Sequence, residues 1–232
     1  MAIQLKSTNG LHSSRIKALV YGTSGSGKTK LLGTWNNQKT LLISAESGLL
    51  SLEDQNISAL ECKSYADVRE AYQFVTQSEE AQQFELIGID SLTEIADMIV
   101  GHLEQQPEYQ DPKNTMKLWS EYNKRITAIV KGFRALDKHV VFTALPEAVK
   151  DGDMLITQPF IKGNAAQKML ESYFDEVFHL YVERADGSRR IQTQPTSSHS
   201  AKDRSGKLAD PEDADLSTIF QKIQSKQQEN AA

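Results

Sequence analysis

Residues 22–29 read Gly22-Thr23-Ser24-Gly25-Ser26-Gly27-Lys28-Thr29, a G-x-x-x-x-G-K-S/T pattern, and the run Lys17-Ala18-Leu19-Val20-Tyr21 stands directly before it. Glycines in such a turn let the main chain take left-handed conformations and aim successive amides at an anion. A helix that starts at the end of the motif points its positive end at the same charge. In a loop of this kind Lys28 reaches the β- and γ-phosphates of a nucleotide, and the Thr29 hydroxyl ligates Mg²⁺. Gly22 to Thr29 are therefore candidate binding residues for ATP with Mg²⁺.

Outward from the loop, strand and helix patterns alternate. Leu31, Leu32 and Trp35 predict a helix over 28–35, and Thr40-Leu41-Leu42-Ile43-Ser44 a second buried strand. Ser64 starts a helix with Val68, Ala71, Tyr72 and Val75 at helical spacing. Residues 84–89 are nearly all apolar, as in a strand covered on both faces. Ser91 with Glu94 is a capping-box signature for a helix over 92–103. A polar loop, 104–114, leads to a long helix over 116–136, with Leu118, Tyr122, Ile126, Ile129, Phe133 and Leu136 inward. The strand 140–143 is expected to end in a second long loop, 146–163. Residues 165–173 read as helix, and Val177–Glu183 with Arg189–Thr193 as a hairpin closed around Asp186-Gly187. Leu216, Ile219, Phe220 and Ile223 mark a short amphipathic segment.

Such alternation predicts an α/β fold with a mostly parallel central sheet flanked by helices and a C-terminal β-hairpin. The expected organisation is a flexible N-terminus at 1–14, one core at 15–222 and a polar, disordered tail at 223–232. The chain has 232 residues, one cysteine (Cys62) and a net charge of −5, from 26 Lys+Arg against 31 Asp+Glu. A lone cysteine forms no internal disulfide, and no run reaches the roughly 18 apolar residues of a membrane span. The expectation is a cytoplasmic protein with no membrane partner. An acidic balance is not the usual footprint of a nucleic-acid binder, although phosphate contacts need only a local basic surface.

Two carboxylates stand where phosphate chemistry needs them. Asp90 ends the strand Leu86-Ile87-Gly88-Ile89, at the sheet edge where an acid holds the Mg²⁺ shell. Hydrolysis also needs a base for water. No acid directly follows Asp90, and Glu94 is explained as a cap, so Glu46, just beyond the second strand, is the candidate.

Taken in order, Gly22–Thr29, Ile43-Ser44-Ala45-Glu46-Ser47-Gly48 and Leu86–Ser91 resemble the RecA superfamily of P-loop ATPases. That resemblance implies a RecA-like core, a catalytic glutamate at Glu46 and a magnesium-holding aspartate at Asp90. Ala201-Lys202-Asp203-Arg204-Ser205-Gly206 is similar to the K-x-R-x-G element of DnaB-type helicases and KaiC-like proteins. There the lysine and arginine reach into a neighbouring subunit's ATP site, which implies trans-acting roles for Lys202 and Arg204 and a ring or filament with shared sites. Over most of 17–220 the chain is similar to small phage-type AAA-family ATPases that include Sak-type single-strand annealing proteins. This implies a phage recombination ATPase acting in a bacterial host cell on single-stranded DNA, with a single-stranded-DNA-binding protein among its partners. RecA carries a polar γ-phosphate sensor at the end of the strand before its second DNA loop, and here Thr143 and Glu147 both stand as candidates.

RecA-type cores hold single-stranded DNA on two loops, which correspond to about 104–115 and 146–163. These carry Tyr109 with Lys113, and Phe160 with Lys150 and Lys162. Stacking with phosphate neutralisation is a sequence-tolerant grip. Lys117, Lys124, Lys131 and Lys138, seven apart, read as a further basic row along the long helix. The alternatives are a KaiC-like regulatory oligomer without DNA binding, and a small nucleotide kinase.

Overall fold

A computed structural model describes residues 15–46 and 48–225. The expected loose N-terminus, 1–14, and residues 226–232 of the expected tail lie outside the described residues.

Three strands are fully buried: β1 (Lys17–Tyr21), β2 (Thr40–Ser44) and β4 (Leu86–Asp90). Each is a nearly unbroken apolar run, as strands covered on both faces require. A short edge strand, β3 (Ser58–Glu61), lies outside β2. The remaining strands are β5 (His139–Asp151), β6 (Met154–Phe160), β7 (Glu176–Val182), β8 (Arg189–Gln192), β9 (Lys202–Asp203) and β10 (Glu212–Asp213). The sheet order is β10-β8-β7-β1-β5-β4-β2-β3. Strands β7 to β3 of that path run parallel, and β8, β9 and β10 close the other side antiparallel.

Because alternate strand residues face opposite sides, the sheet feeds two apolar layers. Leu19, Leu41, Ile87, Val140 and Phe142 pack against α2 (Tyr65–Gln77), α3 (Leu92–Glu104) and α4 (Thr115–Arg134). Ala18, Val20, Leu42, Val141 and Phe178 pack against α1 (Lys28–Leu32) and, with Ile219 and Phe220, against α6 (Leu216–Gln224). Helix α5 (Asn164–Met169) leads into β7. No helix among the described residues is long and apolar enough to cross a membrane.

Three expectations change. The first helix stops at Gly33, where a side chain would come within 2.4 Å of the Gln55 amide oxygen. Residues 146–163 are mainly not loop: β5 runs on past the sheet edge and turns back as β6. The basic row is broken at its end, because α4 stops at Arg134 and Lys138 is buried. Its ammonium donates to the carbonyls of Ala81 (2.9 Å) and Phe84 (2.6 Å).

Candidate nucleotide site at the carboxyl edge of the sheet

Strand register assembles the site. Ser44 pairs with Asp90, and Ile89 with Phe142, so the ends of β2, β4 and β5 meet at one edge. Tyr21, the last residue of β1, pairs with Ala144 and delivers the glycine loop to the same place. Gly25 and Gly27 sit at φ of 80° and 101°, a region open to glycine and closed to most side chains.

Within the loop, Lys28 Nζ donates to the carbonyls of Gly22 (2.8 Å) and Thr23 (3.2 Å). Burial lowers its pKa from the ordinary lysine value, against the opposing pull of the Glu46 and Asp90 carboxylates. Thr29 Oγ1 donates to Asp90 Oδ2 at 2.5 Å, and Thr143 Oγ1 donates to Asp90 Oδ1 at 2.5 Å. The two hydroxyls thus hold both oxygens of a carboxylate that is 1% exposed. Glu46 is set beside them by main-chain bonds, since the amides of Ala45 (2.6 Å) and Glu46 (3.1 Å) both donate to the Asp90 carbonyl. The Ser91 hydroxyl donates to Glu46 Oε1 and also accepts from the Glu94 amide, as a helix cap does. The Asp90–Ser91 peptide is cis. Beside Glu46 opens a cleft of about 630 Å³, lined in part by Ser44, Leu49, Cys62, Glu94 and Met98.

The residues present fit a magnesium nucleotide. A Cβ at Gly48 would lie 3.0 Å from Thr29 Oγ1 and 3.6 Å from Asp90 Oδ2, so glycine keeps the space beside this oxygen pair clear. Ser26 Oγ, in the loop, is buried with no hydrogen-bond partner. Hard oxygen donors with room for phosphate oxygens suit Mg²⁺, which is commonly held by one or two protein groups and the substrate. Thr29 and Asp90 would hold the ion, and the loop amides with Lys28 the phosphates.

Residues 14–205 match the family model of an AAA domain, AAA_24. The chain is a member of the AAA_24 family. This AAA_24 protein is thus a P-loop ATPase. It finds no match among curated proteins. Among solved structures it is similar to a KaiC-like protein of the hyperthermophilic archaeon Pyrococcus horikoshii OT3, at 12% identity and a TM-score of 0.40, with 81% of this chain and 82% of that one covered.

The other candidates lie apart from this cluster. Lys202 and Arg204 flank the start of β7, where Glu176 pairs with Asp203 at the amino edge of the sheet. Lys202 Nζ donates to the Glu171 carbonyl (2.7 Å), and Arg204 is ion-paired with Asp175 (2.6 Å). Of the residues proposed for DNA, Tyr109 packs against the core and Lys162 is ion-paired with Asp97 at 3.0 Å. The Phe160 carbonyl accepts from Thr93, while Lys113 and Lys150 are exposed. Between the two sensor candidates, Thr143 touches Asp90, whereas Glu147 lies on the β5–β6 hairpin.

Sequence reasoning missed Arg189. Its Nε donates to the Ser26 carbonyl at 3.2 Å, and a Cβ on Gly27 would lie 2.3 Å from the same nitrogen. The hairpin that carries Arg189 was legible, but its pairing beside β1 was not.

Proposed function

We propose that this chain is a Mg²⁺-dependent ATPase that works as an oligomer with ATP sites shared between copies, and that it acts on single-stranded DNA in annealing or strand pairing. The observation that carries the hydrolytic part is the linked set Thr29–Asp90–Thr143 with Glu46 alongside. Lys28 and the loop amides bind and orient the triphosphate. Glu46, facing an open cleft, takes the proton of the attacking water. The Thr143 hydroxyl, already on Asp90, can turn to the γ-phosphate and report its presence. Thr29 and Asp90 would hold magnesium, which would supply neutralisation of the phosphate charge.

Sharing of sites is supported by topology. Lys202 and Arg204 occupy the amino edge and the chain's own phosphate loop the carboxyl edge, so any phosphate they serve belongs to another copy. DNA action is supported by the resemblance to annealing ATPases and by the β5–β6 hairpin, which carries Lys150 past the sheet edge. The second reading, a regulatory oligomer without DNA, is favoured by the engagement of Tyr109 and Lys162 within the chain.

A salt titration separates the two. DNA action predicts a shift of labelled single-stranded oligonucleotide that weakens steeply with salt and a change in ATP turnover on its addition. No shift at low salt with ATP and magnesium present, together with nucleotide-dependent assembly, would leave the regulatory oligomer.

A further inference from the structure

Arg189 opens β8, and β8 reaches β1 through β7, so a residue 163 positions along the chain comes to rest on Ser26. Its side chain occupies the space over Gly27, where a Cβ would lie 2.3 Å from Nε and 2.7 Å from Cδ. Among the described residues no carboxylate is paired with it. The nearby Arg190 has Asp213, and Arg204 has Asp175. An exposed guanidinium anchored by Nε alone keeps its two terminal nitrogens for something else.

The metal-binding pair sets which end of a nucleotide faces it. Thr29, Asp90 and Thr143 lie toward β5 and β4, on one side of β1. Arg189 lies toward β7, on the other. With the terminal phosphate on the Asp90 side, the nucleoside trails toward Arg189. Val182 is the direct cross-strand partner of Arg189, so their side chains share a face. It is 43% exposed, an uncovered apolar surface beside a planar cation. Guanidinium groups stack on aromatic faces and donate to ribose oxygens in the same plane.

We propose that Arg189, with Val182 beside it, binds the base and ribose of the nucleotide held by its own chain's phosphate loop. This rests on the ATPase reading and assigns the nucleoside end of that site, in cis, whereas Lys202 and Arg204 would act in trans at the phosphates.

The test is equilibrium titration of Mg-ADP and of Mg-tripolyphosphate, which has phosphates but no nucleoside, on the full chain. Arg189→Ala should weaken ADP by about tenfold, the worth of a well-formed cation–π or charge-assisted contact. Tripolyphosphate should bind as in the wild type. Val182→Ser should weaken ADP by a smaller factor and again spare tripolyphosphate. In steady-state turnover, Arg189→Ala should raise KM and leave kcat within about twofold, the signature of binding shared by ground and transition states. An equal loss for both ligands would make Arg189 a brace for the loop and overturn the proposal. So would unchanged ADP affinity, with or without a fall in kcat. Failure of the wild type to bind either ligand would instead remove the ATPase reading itself.

Discussion

Asp90 is held from both sides, by Thr29 at one oxygen and Thr143 at the other. Either hydroxyl can leave it for a ligand without stranding the carboxylate. Glu46, proposed as the base, lines the cleft beside this pair. Glu46→Gln should bind ATP as the wild type does and hydrolyse it about 10²-fold or more slowly, the usual worth of a positioned base. Single-turnover assays with radiolabelled ATP read this directly, and wild-type rates in the variant would move the base elsewhere. That Thr29, Asp90 and Glu46 meet at one sheet edge was legible, because a motif and two strand ends carry them. Thr143 and Glu147 could not be ranked from sequence, since the choice depends on β5 continuing beyond the edge and carrying Glu147 away. Arg189 gave no local sign at all. Only the pairing of β8 with β7 brings it to Ser26.

At the scale of elements, the segment bearing Lys202 and Arg204 hangs on a buried acid. Glu176 is 2% exposed, and burial, with Asp203 beside it, pushes its pKa up to about 8. Its carboxyl also accepts from the Arg204 amide at 3.2 Å. A carboxyl whose folded pKa exceeds its unfolded one binds protons better when folded, so its share of stability is complete at acid pH and fades as pH rises from about 4.5 to about 8. Glu176→Gln should remove that fall, so the denaturation midpoints of the two proteins should converge or reverse on going from pH 5 to pH 8. A gap that stays constant over this range would refute the assignment. The long β5–β6 hairpin escaped sequence reading because Pro146 and Pro159 argue against strand. They face each other in the ladder, and two opposed prolines fit only at a non-hydrogen-bonded pair, where neither N–H is needed. Strand β3 escaped because its residues are mostly exposed, and no apolar run marks an edge strand of this kind. The buried strands β1, β2 and β4, in contrast, were plain from composition alone.

At the scale of the whole molecule, the sheet separates two sets of charged groups. The phosphate loop, Glu46 and Asp90 lie at the carboxyl edge, and Lys202 and Arg204 at the amino edge. Within one chain the two edges stay apart, so the shared-site proposal requires a second copy to bring one against the other. Mixing Lys28→Ala with Arg204→Ala subunits should therefore restore part of the turnover that each variant lacks alone. With mixed assembly verified by mass, no recovery would argue against shared sites. The parallel sheet and its helices were legible in the alternation of patterns, whereas the segregation of the two edges emerges only from strand order.

Beneath all of this lies the capture of a triphosphate by the Gly22–Thr29 amides and Lys28. Titration of a fluorescent ATP analogue into the wild type and Lys28→Ala, each with magnesium, tests it most directly. The wild type should bind in the range of about 1 μM to 1 mM typical of enzyme substrates, and Lys28→Ala at least about tenfold more weakly, the loss expected for one charge-assisted phosphate contact. Equal affinity in the two proteins, or no binding by the wild type, would contradict the account.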